Sequence, residues 1–170
     1  TDIAWINGLM HVILKEDLQD KTFVKERCEN FDALKESLEA YTPEYVSGIT
    51  GIAKEDLQGL ARDYATAERA SILYCMGITQ HTSGTDNVKA LANLAMLCGH
   101  LGKEGTGVNP LRGQNNVQGA CDMGCLPNVF TGYQSVSIKH SIKKMEAAWG
   151  VTGLSDTPGM TATEMIPAAS

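Results

Sequence analysis

Apolar positions recur at helical spacing through the first two-fifths of the chain. Ile3 to Leu14 is mostly apolar and runs into the charged Lys15-Glu16-Asp17, which predicts an opening helix. Asp20 is placed to cap a short helix through Phe23 and Val24 to Cys28, because a carboxylate accepts a free amide in the first turn. Asn30 is the corresponding cap for a helix carrying Phe31, Leu34 and Leu38 at helical spacing. Thr42-Pro43-Glu44 combines a capping hydroxyl, a proline at the first helical position and an early carboxylate, and predicts a further start. Leu57, Leu60, Ala61 and Tyr64 place another helix from about Lys54 to Ala67. The charged faces of these helices read as solvated scaffold.

The texture changes at Ser71-Ile72-Leu73-Tyr74-Cys75-Met76, an apolar run of the length of a buried strand. Gly77 ends it, and the residues from Ile78 to Gly84 read as a loop. Thr85 then caps a helix to about Cys98 that is apolar nearly all round, with Lys89 and Asn93 as exceptions. Such a helix needs cover on several sides. The segment alone is therefore expected to expose apolar surface and to self-associate. Gly99 to Gly132 is rich in glycine and amides with little periodicity, and a loop of that length is usually functional. Helical spacing resumes at Ile142 to Trp149, with a last short helix over Thr161 to Ile166. The order helix, strand, loop, buried helix predicts an α/β fold.

Thr1 leads straight into Ile3-Ala4-Trp5-Ile6 with no signal peptide, and the tail from Pro158 shows no closing element. Both ends read as those of an excised internal segment. Composition narrows the class further. Hydrophobic residues at 43% and charged residues at 20% are ordinary for a globular protein. A net charge of -6 argues against a nucleic-acid partner, which calls for a basic face. The longest apolar run, near Leu94 to Cys98, is far short of the roughly 20 residues a membrane span needs. Five cysteines without a small-domain disulfide spacing suit a reducing compartment, hence the cytoplasm, with a periplasmic parent as the alternative.

Two stretches could carry chemistry. The first is Met76-Gly77-Ile78-Thr79-Gln80-His81, because ligands of open α/β sheets sit beyond the carboxyl ends of strands. Gly77 and Gly84 permit close backbone approach, while Gln80 and His81 offer hydrogen bonds. Asp86 would repel a phosphate at the helix start, so a neutral part of a ligand suits this loop better. A purely structural turn is the competing reading. The second stretch, Gly105 to Gly119, centres on Arg112, whose fork of donors suits a carboxylate or phosphate. Side-chain amides surround it, and no carboxylate follows until Asp122. A surface loop of turn-forming Asn and Gly is the alternative there.

Cys121 and Cys125 form a C-x3-C pair without a second pair, which is poor metal evidence, and they read as structural thiols. His11, His100 and His140 read as ordinary. Neither a nucleophile elbow nor a P-loop is present.

The segments Tyr74 to His81, Gly84-Thr85-Asp86-Asn87-Val88 and above all Gly107-Val108-Asn109-Pro110-Leu111-Arg112-Gly113-Gln114-Asn115-Asn116-Val117-Gln118-Gly119-Ala120-Cys121-Asp122-Met123-Gly124 resemble the catalytic subunit of formate dehydrogenases in the DMSO reductase family. Shorter matches at Asn7-Gly8, Tyr41-Thr42-Pro43-Glu44 and Ala148-Trp149-Gly150-Val151 extend the likeness along the chain. Where that family usually has a proline, this chain has Thr131 before Gly132-Tyr133-Gln134.

The resemblance implies a bis-molybdopterin guanine dinucleotide cofactor carrying molybdenum or tungsten, and a [4Fe–4S] cluster in the full-length parent. It implies Arg112 as the active-site arginine, with Met76, Gly77, Gln80, Gly113, Gln114, Asn115 and Asn116 on the cofactor. No metal ligand is expected in this segment. The implied fold is α/β with Rossmann-like αβα layers, part of that family's domains 1–3 and helix-rich in its first half. Residues 1–114 would end in the arginine loop, and 115–170 would begin a second α/β cofactor-binding domain. Expected partners are the remainder of the catalytic subunit and iron–sulfur or NAD-linked electron-transfer subunits. The segment alone is expected to be inactive. An assimilatory nitrate reductase of the same architecture, or a non-catalytic module of the same fold, are the competing functions.

Overall fold

The structure is a computed structural model and describes residues 1–169. It separates into two compact units, Thr1–Leu111 and Arg112 onward.

The first unit runs α1 (Asp2–Lys15), α2 (Lys21–Arg27), α3 (Phe31–Ser37), α4 (Pro43–Thr50), α5 (Lys54–Thr66), β1 (Ser71–Tyr74), α6 (Met76–Thr79), α7 (Gly84–Leu97) and β2 (Gly107–Pro110). Its axis is α1, in which every residue from Gly8 to Ile13 is buried. Helices α4, α5 and α7 pack around it, which explains why its sequence lacks a polar stripe. Ile6, Met10 and Ile13 are wholly removed from solvent, and each contributes about 1.5–3 kcal/mol through burial. His11 closes the packing at α3, with Nδ1 2.8 Å from the Leu38 carbonyl.

Local signals act as expected at two starts. Asp20 accepts the Phe23 amide at 2.9 Å, and Thr42 Oγ1 accepts the Tyr45 amide at 3.3 Å with Pro43 in the first turn. Asn30 differs. It stands before α3 in the left-handed conformation, φ 56°, and its side chain makes no cap.

Strands β1 and β2 pair in parallel, Ser71 with Gly107 through Tyr74 with Pro110, joined by the crossover through α6 and α7. The run from Ser71 is therefore a strand, but not a buried one. Leu73 is 65% exposed, because among the described residues β1 pairs with β2 alone and it is the Ile72 and Tyr74 face that packs on the helical core. Helix α7 buries one face, on which Asn87, Leu91, Leu94 and Ala95 follow at helical spacing, with Ala90 and Leu97 beside them. Its cover within this unit comes from α1, α2, α6 and β2.

The second unit contains α8 (Val117–Asp122), β3 (Val129–Phe130), β4 (Gln134–Ser135), α9 (Lys139–Trp149) and α10 (Ala162–Ala168). The stretch from Gly99 to Gly132 is thus not loop throughout, since β2, α8 and β3 fall within it. β3 and β4 form an antiparallel hairpin, and Phe130 meets Trp149 of α9 edge-on at 5.9 Å between centroids. The Glu164 carboxylate accepts the Thr161 amide at 2.7 Å and fixes the start of α10. Among the described residues, no helix is long and apolar enough to cross a membrane.

Candidate functional site

In the first unit the residues of interest follow the carboxyl end of β1. Cys75 interrupts the strand, and Met76 to Thr79 make one helical turn where the sequence suggested strand end and loop. The turn forms because Ile78 and Gln80 donate their amides to the Cys75 and Met76 carbonyls at 3.1 and 2.9 Å. Met76, Gly77 and Gln80 are all exposed, and Gln80 Nε2 rests 3.3 Å from Met76 Sδ, a weak acceptor. These three are brought together on one turn and remain available to a ligand.

The following helix begins at Gly84, one residue before the expected Thr85 cap, and Thr85 lies inside it. Ser83 occupies the capping position but spends its hydroxyl on Asn87 Oδ1, 3.3 Å away. The Gly84 amide is engaged by the His81 carbonyl at 2.9 Å. Asp86 is exposed in the first turn beside Lys89. A carboxylate at that point keeps the loop suited to an uncharged ligand surface.

His81, read from the sequence as a hydrogen-bonding group, and Asn87, which that reading missed, both hold the turn. His81 Nε2 donates to the Gly77 carbonyl at 2.8 Å and stands 3.4 Å from Asp2 Oδ2 of α1. Asn87 is 1% exposed, and its Nδ2 donates to the Ile78 carbonyl at 2.9 Å. The available signal was an amide among the apolar residues of a helix expected to be buried.

β2 leaves the sheet alongside β1, and the Leu111 amide extends the pairing to the Tyr74 carbonyl at 2.7 Å. Arg112, the next residue, opens the second unit. There Arg112, Gly113, Gln114, Asn115 and Asn116 are consecutive and exposed, ahead of α8. No side chain among the described residues pairs with the Arg112 guanidinium. The carboxylate of Asp122 is engaged by Gln118 Nε2 at 2.9 Å. A free guanidinium among neutral amides and backbone N–H groups is a donor set that fits an anionic ligand with polar edges, as a pterin pyrophosphate is.

The remaining polar groups are structural. His100 is 2% exposed, its Nε2 donates to the Tyr64 carbonyl at 2.9 Å, and it meets the Tyr64 ring edge-on. All five cysteines are free thiols, Cys121 buried and Cys125 exposed. Among the described residues no three His, Cys, Asp or Glu side chains are grouped to hold a metal.

The chain is similar to known proteins. The chain is 58% identical over 98% of its length to the F420-dependent formate dehydrogenase subunit alpha of Methanocaldococcus jannaschii, covering 24% of that protein. It is 47% identical over 97% of its length to formate dehydrogenase H of Escherichia coli, covering 23% of it. The chain therefore spans about a quarter of the length of the curated relatives it matches. Among solved structures, acetylene hydratase from Pelobacter acetylenicus aligns with 61% of this chain and 14% of its own, at 29% identity and a TM-score of 0.59. The molybdopterin oxidoreductase family profile matches residues 1–158, and the chain belongs to that family.

Proposed function

We propose that this chain is part of the catalytic subunit of a formate dehydrogenase, which oxidises formate to carbon dioxide with release of one proton and two electrons. The observation that carries the reading is the unpaired Arg112 guanidinium among uncharged donors, in a chain whose relatives are named formate dehydrogenases. Arg112 holds formate by its two oxygens through parallel N–H donors, which fixes the direction of the C–H bond. The same positive charge favours the carboxylate in the site. Gly113, Gln114, Asn115 and Asn116 supply backbone and amide donors to a bis-molybdopterin guanine dinucleotide cofactor, as do Met76, Gly77 and Gln80 from the turn after β1. When bound, that group carries the molybdenum or tungsten that accepts the two electrons. The full-length parent would also hold a [4Fe–4S] cluster and assemble with iron–sulfur or NAD-linked subunits, which would supply the electron-transfer chemistry.

In this reading the chain supplies part of the site and does not turn over formate alone. Its α/β architecture is a portion of Rossmann-like αβα layers completed by the rest of the subunit, with 1–114 ending in the arginine loop and 115–170 opening a second cofactor-binding domain. The parent is placed in the cytoplasm.

The test is Arg112→Ala and Arg112→Lys in the full-length subunit. The alanine variant is expected to lose about 10²–10³ in kcat/KM for formate with its pterin content intact. Lysine restores only part, since it keeps the charge and loses the fork. Formate oxidation within about threefold of the parent in both variants would sink the assignment. A second reading, a different reaction on the same cofactor, draws on the structural neighbour being named a hydratase. It is favoured if the full-length subunit ignores formate while retaining pterin.

A further inference from the structure

We propose that Asn87 is a positioning residue that holds the turn after β1 in place, and so sets where Met76, Gly77 and Gln80 stand. This rests on the reading of those three residues as pterin contacts. A single helical turn has almost no stability of its own, so something outside it must fix α6. His81 does so from the surface, through the Gly77 carbonyl, but it is half exposed and water competes for that bond.

Asn87 acts from below. It sits in α7 at 1% exposure, where an amide is costly unless both its ends are satisfied. Both are. Nδ2 donates to the Ile78 carbonyl at 2.9 Å, in the middle of the turn, and Oδ1 accepts the Ser83 hydroxyl at 3.3 Å, at its exit. The Asn87 amide also donates to the Ser83 carbonyl at 2.8 Å. One buried side chain thus ties the centre of the loop and its end to the start of α7. Gly84 makes the same joint tight, because a β-carbon there would collide with the Thr79 carbonyl. An apolar residue in place of Asn87 would serve packing equally well, so packing alone does not account for the amide.

The test uses Asn87→Leu, which keeps the branched outline and removes both bonds, and Ser83→Ala, which removes one bond at the surface end and preserves folding if the first variant is poorly produced. Hydrogen exchange of the peptide covering 76–83 is followed by mass spectrometry in the full-length subunit, with the α1 peptide as the fold control. Pterin retained after dialysis is measured on the same samples. Exchange in 76–83 is expected to rise about tenfold in Asn87→Leu and less in Ser83→Ala, with α1 unchanged and pterin lost in the same order. Unchanged exchange in 76–83 overturns the positioning role and leaves the assignment of Arg112 untouched. Faster exchange with pterin fully retained overturns it too, and locates the failure in the reading of Met76, Gly77 and Gln80 as cofactor contacts.

Discussion

Gly8 of α1 lies directly against Val46 of α4: a β-carbon on Gly8 would stand 2.9 Å from Val46 Cγ2 and 3.1 Å from Leu57 Cδ2. The absent side chain lets α4 and α5 approach the central helix. Two effects oppose each other on substitution with alanine. Alanine is favoured in a helix by about 1 kcal/mol, while overpacking a filled core costs roughly 1–3 kcal/mol. Val46 and Leu57 are both buried and have little room to move, so overpacking wins. Gly8→Ala is expected to lower the denaturation midpoint by an amount equal to about 1 kcal/mol. A stabilised variant would show that the α1 and α4 contact is looser than this.

At the other end of α1, Arg62 of α5 grips Glu16 with two bonds, Nη2 to Oε1 at 2.7 Å and Nε to Oε2 at 2.8 Å. Hydrogen bonding to Arg62 holds the Glu16 carboxyl below the usual carboxylate range, opposed by desolvation, with the guanidinium charge a smaller help. A depressed folded value means the stabilisation is present above the ordinary carboxylate pKa and is lost as pH falls through the lowered one. The Arg62 side chain is 51% exposed, so solvent screens the pair and its contribution is small. Arg62→Met is expected to lower stability slightly at neutral pH. The difference from the parent should shrink below pH 4.5 and in about 1 M salt. A gap that persists in acid would mean that the arginine stem, not its charge, matters.

Cys98 titrates in the opposite sense. Burial, with the Asp20 charge adding to it, pushes its thiol up from 9.0 to about 12. Burial likewise raises the Tyr64 hydroxyl. Both groups are accommodated only in their neutral forms, so stability is complete below pH 9 and declines as pH rises toward 12. Denaturation midpoints taken from pH 7 upward should fall in alkali, and the fall should be shallower in Cys98→Ala. Alkylation at neutral pH should reach the exposed Cys125 well before the buried Cys98. Equal rates at the two thiols would contradict the packing of α7.

The sequence by itself determined the features whose causes lie within one or two turns. Asp20 with Phe23 and Thr42 with Tyr45 cap their helices because donor and acceptor are three residues apart, a distance any reader of the chain can count. The unbroken apolar run of α1 and the near-apolar α7 likewise announced burial before any partner was known. The residue types around Arg112 could be read because they are consecutive, and among the described residues no side chain pairs with that guanidinium.

Only the tertiary structure decided what depends on distant partners. Strand β1 finds β2 across the length of the α7 crossover, and with no further strand beside it among the described residues Leu73 is exposed, against the reading of a buried strand. Asn30 precedes α3 without capping it, because its left-handed backbone carries the side chain away from the free amides. Asn87 looks like an incidental polar residue until Ile78 and Ser83 close on it from outside the helix. Capping and periodicity are local energies, written at short spacing; burial and buried hydrogen bonds depend on which surfaces meet, and that is settled only when the chain has folded.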